Sequence, residues 1–408
     1  VKFLFVHQNF PGQYLHIVRH LATSGRHEIL FATEPNANLI PGVRKIIYRA
    51  RRAPSRTIHP DAREFELGML RAEAVAQAAR QFKALGLTPD IIIGHHGWGE
   101  LLNLRDLWPD VPMLGYFEFY YRTHGLDVGF DPEFTSDPSR FPLIRAKNAI
   151  NHLALTLEAA GHTPTQFQRR TYPDWARPQI SLLPEGADLE LCRPLPAARR
   201  RTLKIGAMTV TPKAPLLTYV ARGLEPYRGF HALMRALPRL LRARPDLLVA
   251  IVGSDEVSYG STPKGTTWRE HFLREVAGQL DLSRVHFLGR VKYDDYRALL
   301  QRSDVHVYLT YPFVASWSLR EALAIGCAVV GSDTEPVREF ITDGENGILV
   351  RFPDPPALAE GVLRVLEDKK LAARLRANAR AYAEANLQMS AHLDAFEAQI
   401  ARLTGQTP

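Results

Sequence analysis

Residues 284–350 read RVHFLGRVKYDDYRALLQRSDVHVYLTYPFVASWSLREALAIGCAVVGSDTEPVREFITDGENGILV. Four short apolar runs stand out: RVHFLG (284–289), VHVYLT (305–310), AVVGSD (328–333) and GILV (347–350). Between them lie segments of helical spacing, DDYRALLQRS (294–303) and SLREALAIG (318–326). Strands alternating with helices predict a parallel sheet with helical crossovers. Ligands of such sheets sit at the carboxyl ends of the strands, so the loops after strands carry the interest. The loop after VHVYLT is built of small and aromatic residues and leads into a helix at Ser318. Free amides and the positive dipole end make that helix start a candidate phosphate site. Glu321 follows one turn in, where a carboxylate can accept both hydroxyls of a ribose. Ser318-x-x-Glu321 also fits a capping box, a purely structural device, and the motif alone leaves both readings open.

Working outward, the alternation continues in both directions. LTYVA (217–221) and LLVAIVG (247–253) predict strands, and HALMRALPRLLRA (231–243), residues 268–280 and most of 356–403 predict helices. The first half opens with the strand KFLFVH, the loop NFPGQY and the helix LHIVRHLATSG. Strands are expected at HEILFAT (27–33), IIIG (91–94), VPMLGYFE (111–118) and in QISLLPEGAD (179–188), with helices over about 62–85 and 148–160. CRPLPAARRRTLK (192–204) breaks the pattern with Pro and Arg and reads as a linker. Two Rossmann-like domains facing across a cleft are therefore expected: 1–190, a linker at 191–204, and 205–385. A C-terminal helix at 386–408 is expected to pack back on the first domain.

The 408 residues are 46% hydrophobic and 23% charged, as in an ordinary globular protein. Neither of the two cysteines lies in a Cys/His cluster, which speaks against zinc and against a disulfide scaffold and favours a reducing, cytoplasmic compartment. The N-terminus reads as a strand rather than a signal peptide. The net charge of +8 gathers partly in Arg44–Arg56, where Arg44, Lys45, Arg49, Arg51, Arg52 and Arg56 occur without an acidic residue. That stretch is either a solvated loop or a peripheral contact with an anionic membrane face or acceptor. No nucleic-acid-binding motif is present, and nucleic acid is not expected as a partner.

The 284–350 block resembles the C-terminal signature of the retaining family 4 glycosyltransferases (glycosyl transferases group 1) of the GT-B fold. In that family a loop carries Glu-x7-Glu, followed by Ala-x-Ala-x-Gly, a strand and a Gly-rich turn. Glu321 in REALAIGCAVVGSD occupies the second Glu, and DGENGILV matches the turn. The first Glu position, a donor-sugar contact in the family, falls on Phe313. ARGLEPYRGFHALMRAL (221–237) resembles the family's Gly-Arg-Leu…Lys-Gly segment, with Arg228 at the Lys and Arg222 shifted by one residue. LLPEGADLELCRP (182–194) has Glu185-Gly186 where the family has Asn-Gly.

The resemblance implies an α/β, GT-B enzyme that transfers a sugar with retention from a nucleotide-diphosphate donor. A UDP-sugar is favoured, with a GDP-sugar as the second candidate. The acceptor is a glycan, lipid-linked or small-molecule hydroxyl, in polysaccharide or glycoconjugate synthesis. No Asp-x-Asp motif occurs, so no metal and no further cofactor are expected. His95, in PDIIIGHHGWGE (89–100), takes the family's strand-end His, and His95, Arg222 and Arg228 are the catalytic candidates. Gly12, Arg290, Val314, Ala315, Ser316, Trp317, Ser318 and Glu321 are the nucleotide-binding candidates. His96, Glu118, Tyr120 and Tyr121 are substrate candidates, the last three from the aromatic loop GYFEFYYRTHGLDVGFDPEF (115–134), whose alternative is a packed loop core. Site of action is expected to be cytoplasmic, or peripheral on the inner membrane face. Two rivals stand beside this reading: a degenerate binder of sugar nucleotides, for which Phe313 speaks, and a nucleotide-sugar epimerase using carboxylates such as Glu118 and Asp127.

Overall fold

The structure, a computed structural model, describes residues 1–135 and 137–406. The chain divides into two compact units. The first comprises residues 1–128, 136–184 and 390–408, and the second comprises Gly129–Thr135 and Glu185–Met389.

The first unit is built on a seven-stranded sheet: β1 (Lys2–Val6), β2 (Glu28–Thr33), β3 (Val43–Ile47), β4 (Ile91–His95), β5 (Met113–Tyr116), β6 (Ala160–Thr163) and β7 (Ile180–Leu182). All neighbours pair in parallel, in the order β3-β2-β1-β4-β5-β6-β7. Alternate residues of β1 show why its sequence is apolar throughout. Phe3 and Phe5 pack with Ile17 and Leu21 of the helix Leu15–Ser24, while Leu4 and Val6 pack with Val75 and Ala79 of the helix Arg63–Ala84. A sheet covered on both faces leaves no polar side to its central strands. Phe396 and Ile400 of the helix Met389–Thr404 complete the first of these layers.

The second unit carries an antiparallel pair, β8 (Leu203–Ile205) and β9 (Met208–Val210), and a six-stranded parallel sheet. Its strands are β10 (Leu216–Gly223), β11 (Leu248–Ser254), β12 (Val285–Gly289), β13 (Val305–Tyr308), β14 (Val329–Ser332) and β15 (Ile348–Val350), in the order β12-β11-β10-β13-β14-β15. In each sheet the winding reverses beside the first strand, between β1 and β4 and between β10 and β13. The carboxyl ends of these strand pairs are the topological switch points where such sheets form a crevice.

Several elements depart from the expectations drawn from sequence. β3 overlaps the start of the basic stretch, the helix expected over 148–160 ends at Leu155, and a strand that was not expected, β6, begins at Ala160. The division between units falls at residues 184 and 185 rather than at 191, and the span expected to be linker contributes a short 3-10 turn at Pro196–Arg200 and the strand β8. Gly129–Thr135, expected in the first domain, belongs to the second unit. There Asp131 pairs with His231 at 2.9 Å, Glu133 holds Arg235, and Phe130 stacks on Phe352. No helix among the described residues is long and apolar enough to cross a membrane.

Candidate functional site

In the second unit, the loops leaving β10 and β13 meet at the switch point. Arg228 ties them together. Its guanidinium, almost fully buried, donates to Thr310 Oγ1 at 2.9 Å and to the Val314 carbonyl at 3.0 Å. The ring of Tyr259 covers its other face, 4.9 Å from the guanidinium carbon. Glu225, three residues earlier, accepts the backbone amides of Ser258, Tyr259 and Gly260 at 3.0–3.1 Å and so fixes the segment that carries that ring. Arg222 stands exposed at the end of β10. Arg290, after β12, is exposed and paired with Glu256.

Phe313 is 5% exposed and packs against Tyr227 and Tyr259. The position that would hold a carboxylate in the resembling family is thus an apolar wall. Past it the chain enters the helix Trp317–Ile325. The Ser316 amide donates to the Tyr308 hydroxyl at 2.8 Å, the Ser316 and Ser318 hydroxyls share a bond of 2.6 Å, and Trp317 Nε1 donates to Glu185 at 2.9 Å. Val314 and Ala315 lie in the irregular segment just before the helix, with Ala315 buried.

Glu321 does not cap this helix. Its carboxylate accepts the Tyr293 hydroxyl at Oε1 and the Tyr296 hydroxyl at Oε2, both at 2.7 Å. The capping-box alternative is therefore not realised. Burial pushes the Glu321 carboxyl above its ordinary value, and the two tyrosine bonds and Arg297 act against that rise.

In the first unit, His95 ends β4 at the other switch point. Its Nδ1 accepts the Gly97 amide at 2.9 Å, which assigns the proton to Nε2, 3.4 Å from Glu118 Oε2. His7, following β1, lies with its ring centroid 6.0 Å from that of His95, and Tyr116 and Trp98 flank the His95 ring. Burial, then the neighbouring His95, lower the His7 pKa to about 4, so its imidazole is neutral at pH 7. Gly12 is required here by geometry: its φ is +57°, and a Cβ would lie 2.7 Å from His7 Nδ1.

The other substrate candidates do not join His95. His96 turns into the core against Phe117, 4.6 Å between centroids, and burial lowers its pKa to about 3. The Tyr120 hydroxyl bonds His152 at 3.0 Å, and Tyr121 packs on Phe119 under Lys147. Both tyrosines belong to the packed loop rather than to the His95–Glu118 pair. The basic stretch is largely spent on local partners: Arg44 on Glu28, Lys45 on the carbonyls of Asn36 and Asn38, Arg51 on Gln77, and Arg52 on Glu66.

Reading the sequence missed His7, Glu225, Tyr259, Tyr293 and Tyr296. The spacing of Tyr293 and Tyr296, i and i+3 at the start of a helix after a strand, was a usable signal, because such residues share one helix face. Glu225 and Tyr259 are distant in sequence, and nothing local links them.

Comparison with known proteins bears on both units. Residues 25–192 match the family described as Glycosyl transferase family 4 group, and residues 206–382 match Glycosyl transferases group 1. The phosphatidyl-myo-inositol mannosyltransferase of Mycolicibacterium smegmatis is 33% identical over 159 residues, 38% of this chain and 37% of that protein. A GDP-mannose-dependent monoacylated alpha-(1-6)-phosphatidylinositol monomannoside mannosyltransferase of Corynebacterium glutamicum is 28% identical over 218 residues, 52% of this chain and 53% of that protein. The aligned part thus spans about half or less of these curated relatives. Among solved structures, sucrose-phosphate synthase from Thermosynechococcus elongatus superposes with a TM-score of 0.73 at 18% identity, covering 99% of both chains. The Anabaena protein Alr3699/HepE, solved with UDP and glucose, gives 0.68 at 18% identity over 98% of this chain and 99% of its own.

Proposed function

Because the chain belongs to the family 4 glycosyltransferases (glycosyl transferases group 1) and has their GT-B fold, we propose that it transfers a sugar from a nucleotide-diphosphate donor to an acceptor hydroxyl. The observation that carries this reading is Glu321, placed after the β13 loop as a carboxylate aimed at neighbouring hydroxyls and not at its own helix start. The second unit takes the nucleotide: ribose on Glu321, diphosphate at the helix start around Ala315–Ser318 with Arg222 and Arg228 as the cations. Preorganised donors at a departing diphosphate stabilise the charge that develops there, so the reaction runs without a metal. Glu118 orients His95 in the first unit, and His95 serves the reacting sugar.

The proposed outcome is retention at the anomeric carbon, with the departing phosphate taking the acceptor proton. The donor base is uracil or guanine; the HepE complex with UDP supports the first and the GDP-mannose-dependent relative the second. The acceptor is a glycan or lipid-linked hydroxyl, in keeping with relatives named for phosphatidylinositol. The buried free thiols Cys192 and Cys327 agree with action in the cytoplasm.

Calorimetry with UDP and GDP on the wild type and Glu321→Ala tests the site, followed by release of nucleotide from UDP- and GDP-sugars. Binding by the wild type, its loss in the variant and donor turnover are expected. Binding without turnover would favour the degenerate binder, for which the buried Phe313 is the supporting observation. Absence of any nucleotide binding would defeat the proposal.

A further inference from the structure

The carboxylate of Glu321 is held in an unequal way. Tyr296, which donates to Oε2, is 8% exposed and fixed in the core beside Leu300 and Leu319. Tyr293, which donates to Oε1, is 46% exposed, and its hydroxyl also lies 3.4 Å from Cys192 Sγ. Each ionised carboxylate oxygen has two acceptor positions, and each tyrosine fills one. The inner hydroxyl is locked by packing. The outer one has an alternative partner and a route to water.

We propose that Tyr296 is a positioning residue that presents Glu321 to the paired hydroxyls of a ribose, and that Tyr293 is an outer donor which a ribose hydroxyl displaces. This rests on the nucleotide reading of the second unit given above. In this structure both tyrosines satisfy a carboxylate that burial would otherwise leave costly. When a nucleoside diphosphate enters, Tyr296 keeps Oε2 in place and the diol takes the outward acceptor positions, among them the one that Tyr293 fills at Oε1. Tyr293 turns outward, where water or Cys192 receives its hydroxyl. The two tyrosines thus have opposite effects on affinity: one prepares the bound state, and the other stabilises the empty one.

The groups facing Glu321 are Tyr293, Tyr296 and Arg297 on the helix Tyr293–Arg302, with Cys192 reaching Tyr293 from the segment before β8. The Tyr296 bond lowers the carboxyl pKa. Removing it raises that pKa, so the loss of affinity on acidification moves to higher pH in Tyr296→Phe.

The test is calorimetry of UDP and GDP and of their 2′-deoxy analogues against the wild type, Tyr296→Phe and Tyr293→Phe, with melting temperatures to confirm folding. Both substitutions keep the ring. A hydrogen bond to a charged group is worth about tenfold or more in affinity. The wild type is expected to prefer the ribonucleotide by about that factor. Tyr296→Phe is expected to lose most of the preference and to bind the ribonucleotide about tenfold more weakly, whereas Tyr293→Phe binds it as tightly as the wild type or more so. If both variants fold and weaken binding alike, or Tyr296→Phe keeps the full 2′-hydroxyl preference, the tyrosines are only a structural knot and the proposal is overturned. If the wild type binds neither UDP nor GDP, the nucleotide reading itself falls.

Discussion

Asp131 Oδ2 lies 2.9 Å from His231 Nε2, with both side chains shut away from water, and Tyr311 donates to the same carboxylate at 2.9 Å. Removing the carboxylate leaves buried donors of His231 and Tyr311 without their acceptor, which costs about 1–3 kcal/mol. Asp131→Ala is expected to lower stability by about that amount in urea unfolding, and Asp131→Asn by less. Burial pushes the Asp131 carboxyl up, but the bonds from His231, the Glu133 amide and Tyr311 prevail and hold it below the ordinary carboxylate value. Its contribution is therefore present above that ordinary value and is lost as pH falls toward the depressed one.

Acid stability as a whole is expected to fail earlier, through the histidines. Burial lowers His7 and His306 to about 4 and His96 and His162 to about 3. In the unfolded chain these groups accept protons near pH 6.5, and in the folded chain they do not. Stability is therefore complete above that pH and drops as acidification proceeds toward pH 4. Unfolding in this window is expected to take up about four protons. Urea midpoints that stay flat between pH 7 and pH 5 would contradict this.

Arg228→Lys restores the residue type found in the resembling family but cannot reproduce the linkage made here. One ammonium cannot easily serve Thr310, the Val314 carbonyl and the Tyr259 face at once. Weaker nucleotide binding, by about tenfold, is expected in titrations with UDP or GDP, at nearly unchanged melting temperature. Arg228→Ala leaves the Val314 carbonyl without this donor and is expected to cost about 1–3 kcal/mol of stability in addition.

His95 and Glu118 are expected to separate chemistry from nucleotide binding. Glu118→Gln keeps shape but weakens the hold on His95 Nε2–H. Sugar transfer is expected to fall about tenfold in Glu118→Gln and about a hundredfold in His95→Ala. The affinity for the nucleotide alone is expected to stay within about twofold of the wild type, since the nucleotide contacts proposed above are all residues of the second unit. Equal loss of both properties would place His95 in a different role.

Gly115→Ala probes the buried neighbour. A Cβ there would lie 1.9 Å from the His96 ring. Overpacking of about 1–3 kcal/mol or more is expected, read by thermal unfolding. The pair Gly115→Ala with His96→Ala is expected to recover part of that loss, because the smaller side chain vacates the space.

How much of this was legible in the sequence depended on whether the signal was local. Apolar strands such as KFLFV and LVAIV declared a sheet covered on both faces, and the helix after the β13 loop was readable to within a residue. β3 was hidden because VRKII sits on the sheet edge and carries two adjacent charges, Arg44 and Lys45, which break the apolar pattern. β6, AGHT, has too little apolar character to be distinguished from the helix before it. Glu321 was identified as a candidate, but its partners were not, since Tyr293 and Tyr296 come from a neighbouring crossover helix. His95 and His96 are adjacent and looked alike in type, yet one faces the switch point and the other the core. Only the turn at His96–Trp98 separates them. Tyr120 and Tyr121 had the composition of a sugar-binding loop, but their hydroxyl and ring are used by His152 and Lys147.

The helix Met389–Thr404 has a consequence for how the protein is made. It supplies Phe396 and Ile400 to the layer beneath β1, and His20 and Glu397 meet at 2.8 Å. The strands of that layer leave the ribosome before the bulk of the second unit, but the residues that close it emerge after the whole second unit has been synthesised. During translation the apolar underside of β1 therefore waits, open to chaperones, while the second unit is free to mature. A ribosome stalled before residue 390 would release a chain whose later-made half is complete and whose earlier-made half is not.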